Sequence, residues 1–407
     1  MWPVVGIPPM WAELLDRFRD CFRRSDQFQH FAEYVIGLIV SSRFSVQALN
    51  DLFTGHRHAS TKRRFLGEAP WSPDRVMRRL VRLVLEHAGF SKPSRGLLVI
   101  DDTILEHDSD TKAMEKVAAV WDPETERYVK GHVVVTAHWV TPRGHFPVGF
   151  RFKTPGGISK HHLALWLIKK CRRFGVLFQT VVFDSWYLAE TLTAPLAAWG
   201  LTWVSRLKSD RVYLANGGRR EKIVAYFQGL PRAAWQIQEI EGRRETFAAT
   251  CLTLTNHLRV KVVALQKADV DGGLLLLVTN ATHWLPDSII RAYNHRWTIE
   301  TFYRDGKQNL GLEAYMLRSA EGAKRHLCLG LVAFTLLQLG AQHPRLGRLI
   351  RDHVASVGEM CQRTITETAR LFLIWAMKWM GRGFDVDTTV SLAFMSRRQL
   401  KCAVTPL

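Results

Sequence analysis

The chain has 407 residues, 47% of them hydrophobic, and 56 Lys and Arg stand against 37 Asp and Glu for a net charge of +19. That apolar share excludes a disordered chain, and the length allows two or three domains with a large core. A positive excess of this size points to a polyanionic partner, most simply nucleic acid.

Residues 1–92 read as a small basic helical domain. "WAELLDRFRDCFRR" and "FQHFAEYVIGLIVSS" carry apolar residues at helical spacing. "SPDRVMRRLVRLVLEHAG" opens with Ser72 as N-cap and Pro73 at the first helical position. Val76, Leu80, Leu83 and Val84 form an apolar stripe on it, and Arg75, Arg78, Arg79 and Arg82 a basic one. With His56, Arg57, Lys62, Arg63 and Arg64 just before, the stretch is expected to be of helix-turn-helix type and to contact DNA.

At "RGLLVIDDTILEH" the pattern changes. Leu97 to Ile100 is a short apolar run that suits a strand buried on both faces and ends at Asp101 and Asp102. Strands follow at "GHVVVTAHWV" and "HFPVGFRFK", a helix at "SKHHLALWLIKKCRRFG", and a buried strand at "QTVVFD" that ends at Asp184. The helix "WYLAETLTAPLAAWG" and the strand "LTWVSRL" complete the order of a ribonuclease-H-like core over 93–206. Residues 207–283 break that rhythm with strand-like "FAATCLTLTN", "LRVKVVALQK" and "GLLLLVTNA", a mainly β insertion. The core resumes over 284–345, and 346–407 read as a helical tail.

In "YNHRWTIETFYRDGK", read as one helix, Tyr293, Arg296, Glu300 and Lys307 fall three, four and seven residues apart and share a face, with Arg304 one turn beyond Glu300. One interpretation is a solvated face on which Glu300 pairs with its arginines. The other joins Glu300 to the two strand-end acids, Asp101 and Asp184. Three carboxylates brought together at such a sheet can hold two divalent cations that clamp the attacking and leaving oxygens of a phosphodiester.

Here the sequence resembles the DDE transposases of bacterial insertion sequences. Tyr293, Arg296, Glu300 and Lys307 fit that family's Tyr-(2)-Arg-(3)-Glu-(6)-Lys pattern, "IDDTIL" its first-Asp strand with the acid at Asp101, and "VVFDSWY" its second, at Asp184. The likeness covers roughly 95–345 and extends only in kind to the N-terminal domain, as a helical module that binds DNA ends. It implies that Asp101, Asp184 and Glu300 bind Mg²⁺ or Mn²⁺. Tyr293, Arg296 and Lys307 would hold phosphates of the cleaved end. It further implies cleavage by water, joining of the freed 3′-OH to target DNA, assembly as a homodimer on DNA, and a bacterial cytoplasmic, nucleoid-associated setting. Relatives that form a DNA hairpin stack a flipped base on an aromatic residue, and Trp284 and Trp297 are the candidates.

Other signals are weaker. The six cysteines include no CxxC pair, which argues against a zinc site or disulfide framework and for a reducing compartment. The start lacks a signal-peptide pattern, and "LCLGLVAFTLLQL" reads as a buried helix too short for a membrane span. No GxxxxGK[ST] loop supports ATP use. His161 and His162 suit a capping or surface role, Asp102 a supporting role behind Asp101, and Asp385 and Asp387 a turn.

Overall fold

The computed structural model describes residues 2–87, 96–111, 113–215, 218–268, 273–342 and 356–404. The expected domain boundaries at 92/93 and 345/346 lie outside the described residues. In chain order come α1 (Pro9–Asp16), α2 (Ser25–Val40), α3 (Val46–Asp51), α4 (Ala59–Gly67) and α5 (Pro73–His87). They are followed by β1 (Leu97–His107), β2 (Ala118–Asp122), β3 (Arg127–Thr141), β4 (Gly144–Lys153), α6 (Lys160–Phe174), β5 (Thr180–Phe183), α7 (Glu190–Ala198) and β6 (Thr202–Leu207). Next are β7 (Val212–Leu214), β8 (Arg220–Lys222), α8 (Ile223–Gln228), β9 (Gln236–Ile240), β10 (Arg243–Thr253), β11 (Arg259–Gln266) and β12 (Leu274–Thr279). The chain closes with α9 (Pro286–Asn294), α10 (Trp297–Leu310), α11 (Ala320–Ala341), α12 (Val357–Met380), α13 (Val386–Ala393) and α14 (Arg397–Val404).

Two compact units result. One holds Met1–Gly89, Thr103–Val134 and Phe302–Leu407; the other holds Phe90–Asp102 and Val135–Thr301. The second unit is a mixed sheet with helices. β1 runs parallel to β5 with Leu97 beside Thr180 and Ile100 beside Phe183, and β5 runs parallel to β6 with Phe183 beside Ser205. β6 pairs antiparallel with β12, and β12, β11, β10 and β9 continue antiparallel in that order. β3 lies on the other side of β1 and carries β4. Such a mixed sheet fits a ribonuclease-H-like core. The inserted strands β9–β12 thus extend the sheet rather than forming one of their own. The reason is local: "LLLLVT" of β12 is apolar without alternation and is mostly buried, so it needs a neighbour on both edges.

The central strands follow from the same rule. Leu98, Val99, Ile100, Val181, Val182 and Phe183 are fully buried, as continuous β-branched and apolar runs require. One expectation changes here. β1 does not stop at Asp101 but runs on to His107. Its pairing with β5 stops at Ile100 and Phe183, so one further step of register sets Asp101 beside Asp184.

The first unit is helical, with β2 pairing antiparallel to β3. Its centre is α11, which packs against α2, α4, α5 and α12 and is buried on nearly every side. A helix apolar all round is expected to sit inside a core. The fit is tight: a Cβ added at Gly330 would lie 2.2 Å from Leu312 Cδ2. On α5 the stripes are as the sequence suggests, with Val76, Leu80, Leu83 and Val84 buried and Arg75, Arg78 and Arg82 exposed. Ser72 Oγ accepts from Arg75 N at 3.4 Å. Among the described residues no helix is long and apolar enough to cross a membrane, and five cysteines are free thiols.

Candidate active site

Asp101 and Asp184 share the carboxyl ends of two adjacent parallel strands. The chain leaves β1 toward β3 and returns on the other side as β5, the kind of switch point where α/β sheets bind ligands. Asp184 is fixed by its turn: its Oδ1 accepts from Trp186 N at 3.0 Å and Tyr187 N at 3.3 Å, and its carbonyl accepts from Ser205 Oγ at 3.0 Å. Burial pushes its carboxyl up, against the pull of those two backbone N–H groups.

Asp101 is pushed further. Burial, then the Asp102 and Asp184 carboxylates, lift its carboxyl from 3.8 to about 7, despite the Arg296 guanidinium and the Asp102 N–H that favour its ionised form. Its Oδ1 accepts from Asp102 N at 2.9 Å. Its Oδ2 accepts from Arg296 Nη1 at 3.2 Å.

The stretch read as one helix is two. α9 ends at Asn294, and Arg296 N donates to Tyr293 O at 2.9 Å, a tight turn before α10 begins at Trp297. Thr298 Oγ1 fastens this break by donating to His295 O at 2.7 Å. The turn carries Arg296 to a point between two acids. While Nη1 reaches Asp101, Nη2 donates to Glu300 Oε1, and the guanidinium carbon lies 5.8 Å from the centre of the Tyr293 ring. Burial opposes the charge on Arg296, but Tyr293, Asp101 and Glu300 outweigh it and hold the proton more firmly than usual. Burial raises the Tyr293 phenol, against the nearby Arg296 and Arg206.

Asp102 faces other partners. Lys160 Nζ donates to both of its oxygens, at 3.0 and 2.9 Å, and Tyr187 OH donates to Oδ1 at 2.7 Å. Lys160 also lies 4.0 Å from the centre of the Trp186 ring, on which His161 stacks at 4.5 Å. His161 Nε2 is 3.2 Å from Trp186 O, and His162 N donates to Ser159 Oγ, so Ser159 is the cap of α6, and His161 stands half-buried and His162 exposed in its first turn. The sequence reading missed Lys160 and Tyr187. The signals present were a lysine directly after the Ser159 cap and a tyrosine three residues past Asp184, both ordinary in isolation.

The remaining expected residues are held elsewhere. Lys307 lies in the first unit, where Nζ donates to Ile104 O at 2.8 Å and pairs with Glu313 at 3.1 Å. Arg304 is exposed and pairs with Asp305. Arg63 and Arg64 are exposed on α4, as a DNA contact needs. Lys62 corrects the basic cluster: it is buried and pairs with Glu33 at 2.5 Å, because its place on α4 faces the core. Trp297 is 63% exposed, whereas Trp284 is half-buried. Asp385 is an N-cap, accepting from Thr388 N at 2.8 Å.

Among the described residues no three His, Cys, Asp or Glu side chains are grouped closely enough to hold a metal ion. The arrangement shows why: Arg296 stands between Asp101 and Glu300 as their counter-ion. The donor set itself suits a hard divalent cation, since carboxylate oxygens are its preferred ligands.

Two half-buried acids at the ends of adjacent parallel strands thus share the site with one guanidinium and a third carboxylate. A family model described as "DDE superfamily endonuclease" matches residues 17–233, just over half of the chain, and the chain belongs to that family. Membership makes it a nuclease, with DNA as the substrate the family implies. The matched region includes Asp101 and Asp184 and stops before Glu300. No curated protein matches the chain. Among solved structures, the NurA nuclease from Sulfolobus solfataricus aligns at a TM-score of 0.26 and 8% identity, over 50% of this chain and 73% of that one. A likeness that slight carries no argument.

Proposed function

We propose that the chain is a transposase of the bacterial insertion-sequence kind, which binds the ends of its element, cleaves them and joins the freed 3′-OH to target DNA. The observation that supports this best is the meeting of Asp101, Asp184, Arg296 and Glu300 in one unit, from three separate segments of a DDE-family chain. Asp101, Asp184 and Glu300 would hold Mg²⁺ or Mn²⁺. When bound, the cation supplies Lewis acidity toward the phosphate and a more acidic bound water.

The chain's own residues do the rest. Tyr293 and Arg296 grip a phosphate of the DNA end, and the planar guanidinium offers two parallel N–H donors to it. Lys307 takes a phosphate by leaving Glu313, an exchange of one anionic partner for another. Asp102, fixed by Lys160 and Tyr187, keeps the backbone at Asp101 in register. Arg63 and Arg64 on the helical unit track the duplex backbone, and two copies assemble on paired ends.

The test separates nicking, double-strand cleavage and strand transfer on duplexes that carry the element's terminal repeats. Asp101→Ala, Asp184→Ala and Glu300→Ala should each abolish nicking and leave DNA binding nearly intact. A wild-type protein that nicks but never joins its 3′-OH to target DNA would reduce the function to that of an endonuclease, the reading the family description favours. Robust nicking by any of the three variants would remove that residue from the site.

A further inference from the structure

The position of Arg296 carries an inference about order. Its Nη1 is bound to Asp101 and its Nη2 to Glu300. These are two of the three acids that, on the reading above, hold the divalent cation. A guanidinium and a divalent cation cannot both neutralise the same two carboxylates at full strength, since each satisfies the charge the other needs. The third donor of Arg296, Nε, is buried and finds no acceptor among the described residues. A buried charged donor left unsatisfied is costly, so the side chain as it stands is incompletely partnered. A phosphate oxygen is an acceptor able to complete it.

We infer that Arg296 is a resident counter-ion that competes with the divalent cation for Asp101 and Glu300 and is drawn off them by a phosphate of bound DNA. The DNA end thus recruits the cation: as the phosphate takes the guanidinium, the acids are released to bind metal. Coupling of this kind is reciprocal, so the cation must tighten DNA binding by the same factor as DNA tightens cation binding. The protein without DNA would then hold the cation weakly and be a poor nuclease toward DNA that does not engage Arg296. The inference rests on the assignment of Asp101 and Glu300 as cation ligands, and its test distinguishes the two.

Mn²⁺ binding to the full chain, followed by electron paramagnetic resonance of the free ion, reads this without any reaction. Wild type, Arg296→Gln, Arg296→Lys and Asp101→Asn are titrated alone and with a short duplex, with circular dichroism to check folding. Without DNA, Arg296→Gln should bind Mn²⁺ roughly five- to tenfold more tightly than wild type, a coupling of ordinary size. Adding duplex should tighten wild type by a similar factor and leave Arg296→Gln nearly unchanged. Arg296→Lys, whose shorter ammonium cannot span both acids, should fall between the two and serves as the test should the glutamine variant not fold.

Three outcomes decide the matter. Loss of Mn²⁺ binding in Asp101→Asn together with tightening in Arg296→Gln or Arg296→Lys supports the inference. Loss in Asp101→Asn with equal or weaker binding in the arginine variants overturns it and leaves the proposed function standing. Unchanged Mn²⁺ binding in Asp101→Asn means that Asp101 is no ligand, and both fall.

Discussion

Replacing Asp101 with asparagine should make the metal-free protein more stable at neutral pH. Asp101 is partly buried beside Asp102 and Asp184, and its carboxyl is lifted from 3.8 to about 7. A carboxyl with a raised folded-state pKa binds its proton more tightly in the folded chain than in the unfolded one. Between about pH 4 and pH 7 the folded state therefore carries the extra proton, and stability falls as pH rises through that window. About three units at roughly 1.4 kcal/mol each give an upper bound of ~4 kcal/mol lost by pH 8. The figure already contains the attraction of Arg296 at 3.2 Å, which works to keep Asp101 ionised.

An asparagine has the shape of the protonated acid and no charge to lose. The D101N protein should exceed wild type by ~2–4 kcal/mol at pH 8, and the gap should narrow to ~1–2 kcal/mol at pH 5, where wild type is protonated when folded. For a unit of this size that is a rise in melting temperature of several degrees. The assay is thermal denaturation in EDTA at both pH values, followed by the same melts with Mn²⁺. Added Mn²⁺ should stabilise wild type and leave the variant where it was. A variant that melts at or below wild type at pH 8, or a gap that does not shrink at pH 5, would refute the electrostatic account of this site.

Two further expectations concern the helical unit. Lys62→Ala removes the buried partner of the half-buried Glu33, which keeps its bond from Gln29 Nε2 at 2.8 Å, and should cost ~1–3 kcal/mol; the exposed Arg63→Ala should leave the melting temperature alone, weaken DNA binding uniformly across sequences and lower its salt slope by about one. Equal stability of the two variants would place Lys62 outside the core. The buried rings of His107 and His326 are each held down to about 4, chiefly by burial. Unfolding lets them take protons below their ordinary value near 6.5, so stability present above that pH should be lost progressively down to pH 4, by up to ~3 kcal/mol per ring. Asp101 shifts stability the other way over the same range, so the D101N protein is the one to melt; a melting temperature flat from pH 6.5 to pH 4 in that variant would show that the rings charge in place.

How much of this was legible depends on what each residue answers to. Asp101 and Asp184 could be read because "LLVI" and "TVVF" are runs that only a doubly covered strand explains, and the acids end those runs. Arg296 and Glu300 could be read because residues four apart are neighbours even where the first only leads into the helix. The break after Asn294 could not. It is a turn of i−3 bonds that no proline or glycine announces. Lys62 was misread for a similar reason: in "STKRRFL" nothing distinguishes the lysine that turns inward from the arginines that do not, and the partner that decides it, Glu33, lies on another helix. The extension of the sheet through β12 is likewise a choice made by distant segments, which periodicity alone does not contain; the burial of α11, by contrast, was legible in its unbroken apolar run "LCLGLVAFTLLQL".

The neighbouring pair Asp101 and Asp102 shows how a strand divides two similar acids. Successive side chains of a strand point to opposite faces. One face brings Asp102 to Lys160 and Tyr187, which between them supply three hydrogen bonds, and there the carboxylate is fully matched. The other brings Asp101 toward Arg296, whose charge is shared with Glu300, and Asp101 is left among acids with too little cation to offset them. A matched carboxylate has no reason to bind anything more, whereas an undermatched one does. The backbone N–H of Asp102 donates to Asp101 Oδ1, so the well-anchored residue holds the strained one in place. On the proposed function, this division of labour, rather than proximity to the strand end, is the argument for Asp101 as the acid that meets the cation and Asp102 as its anchor.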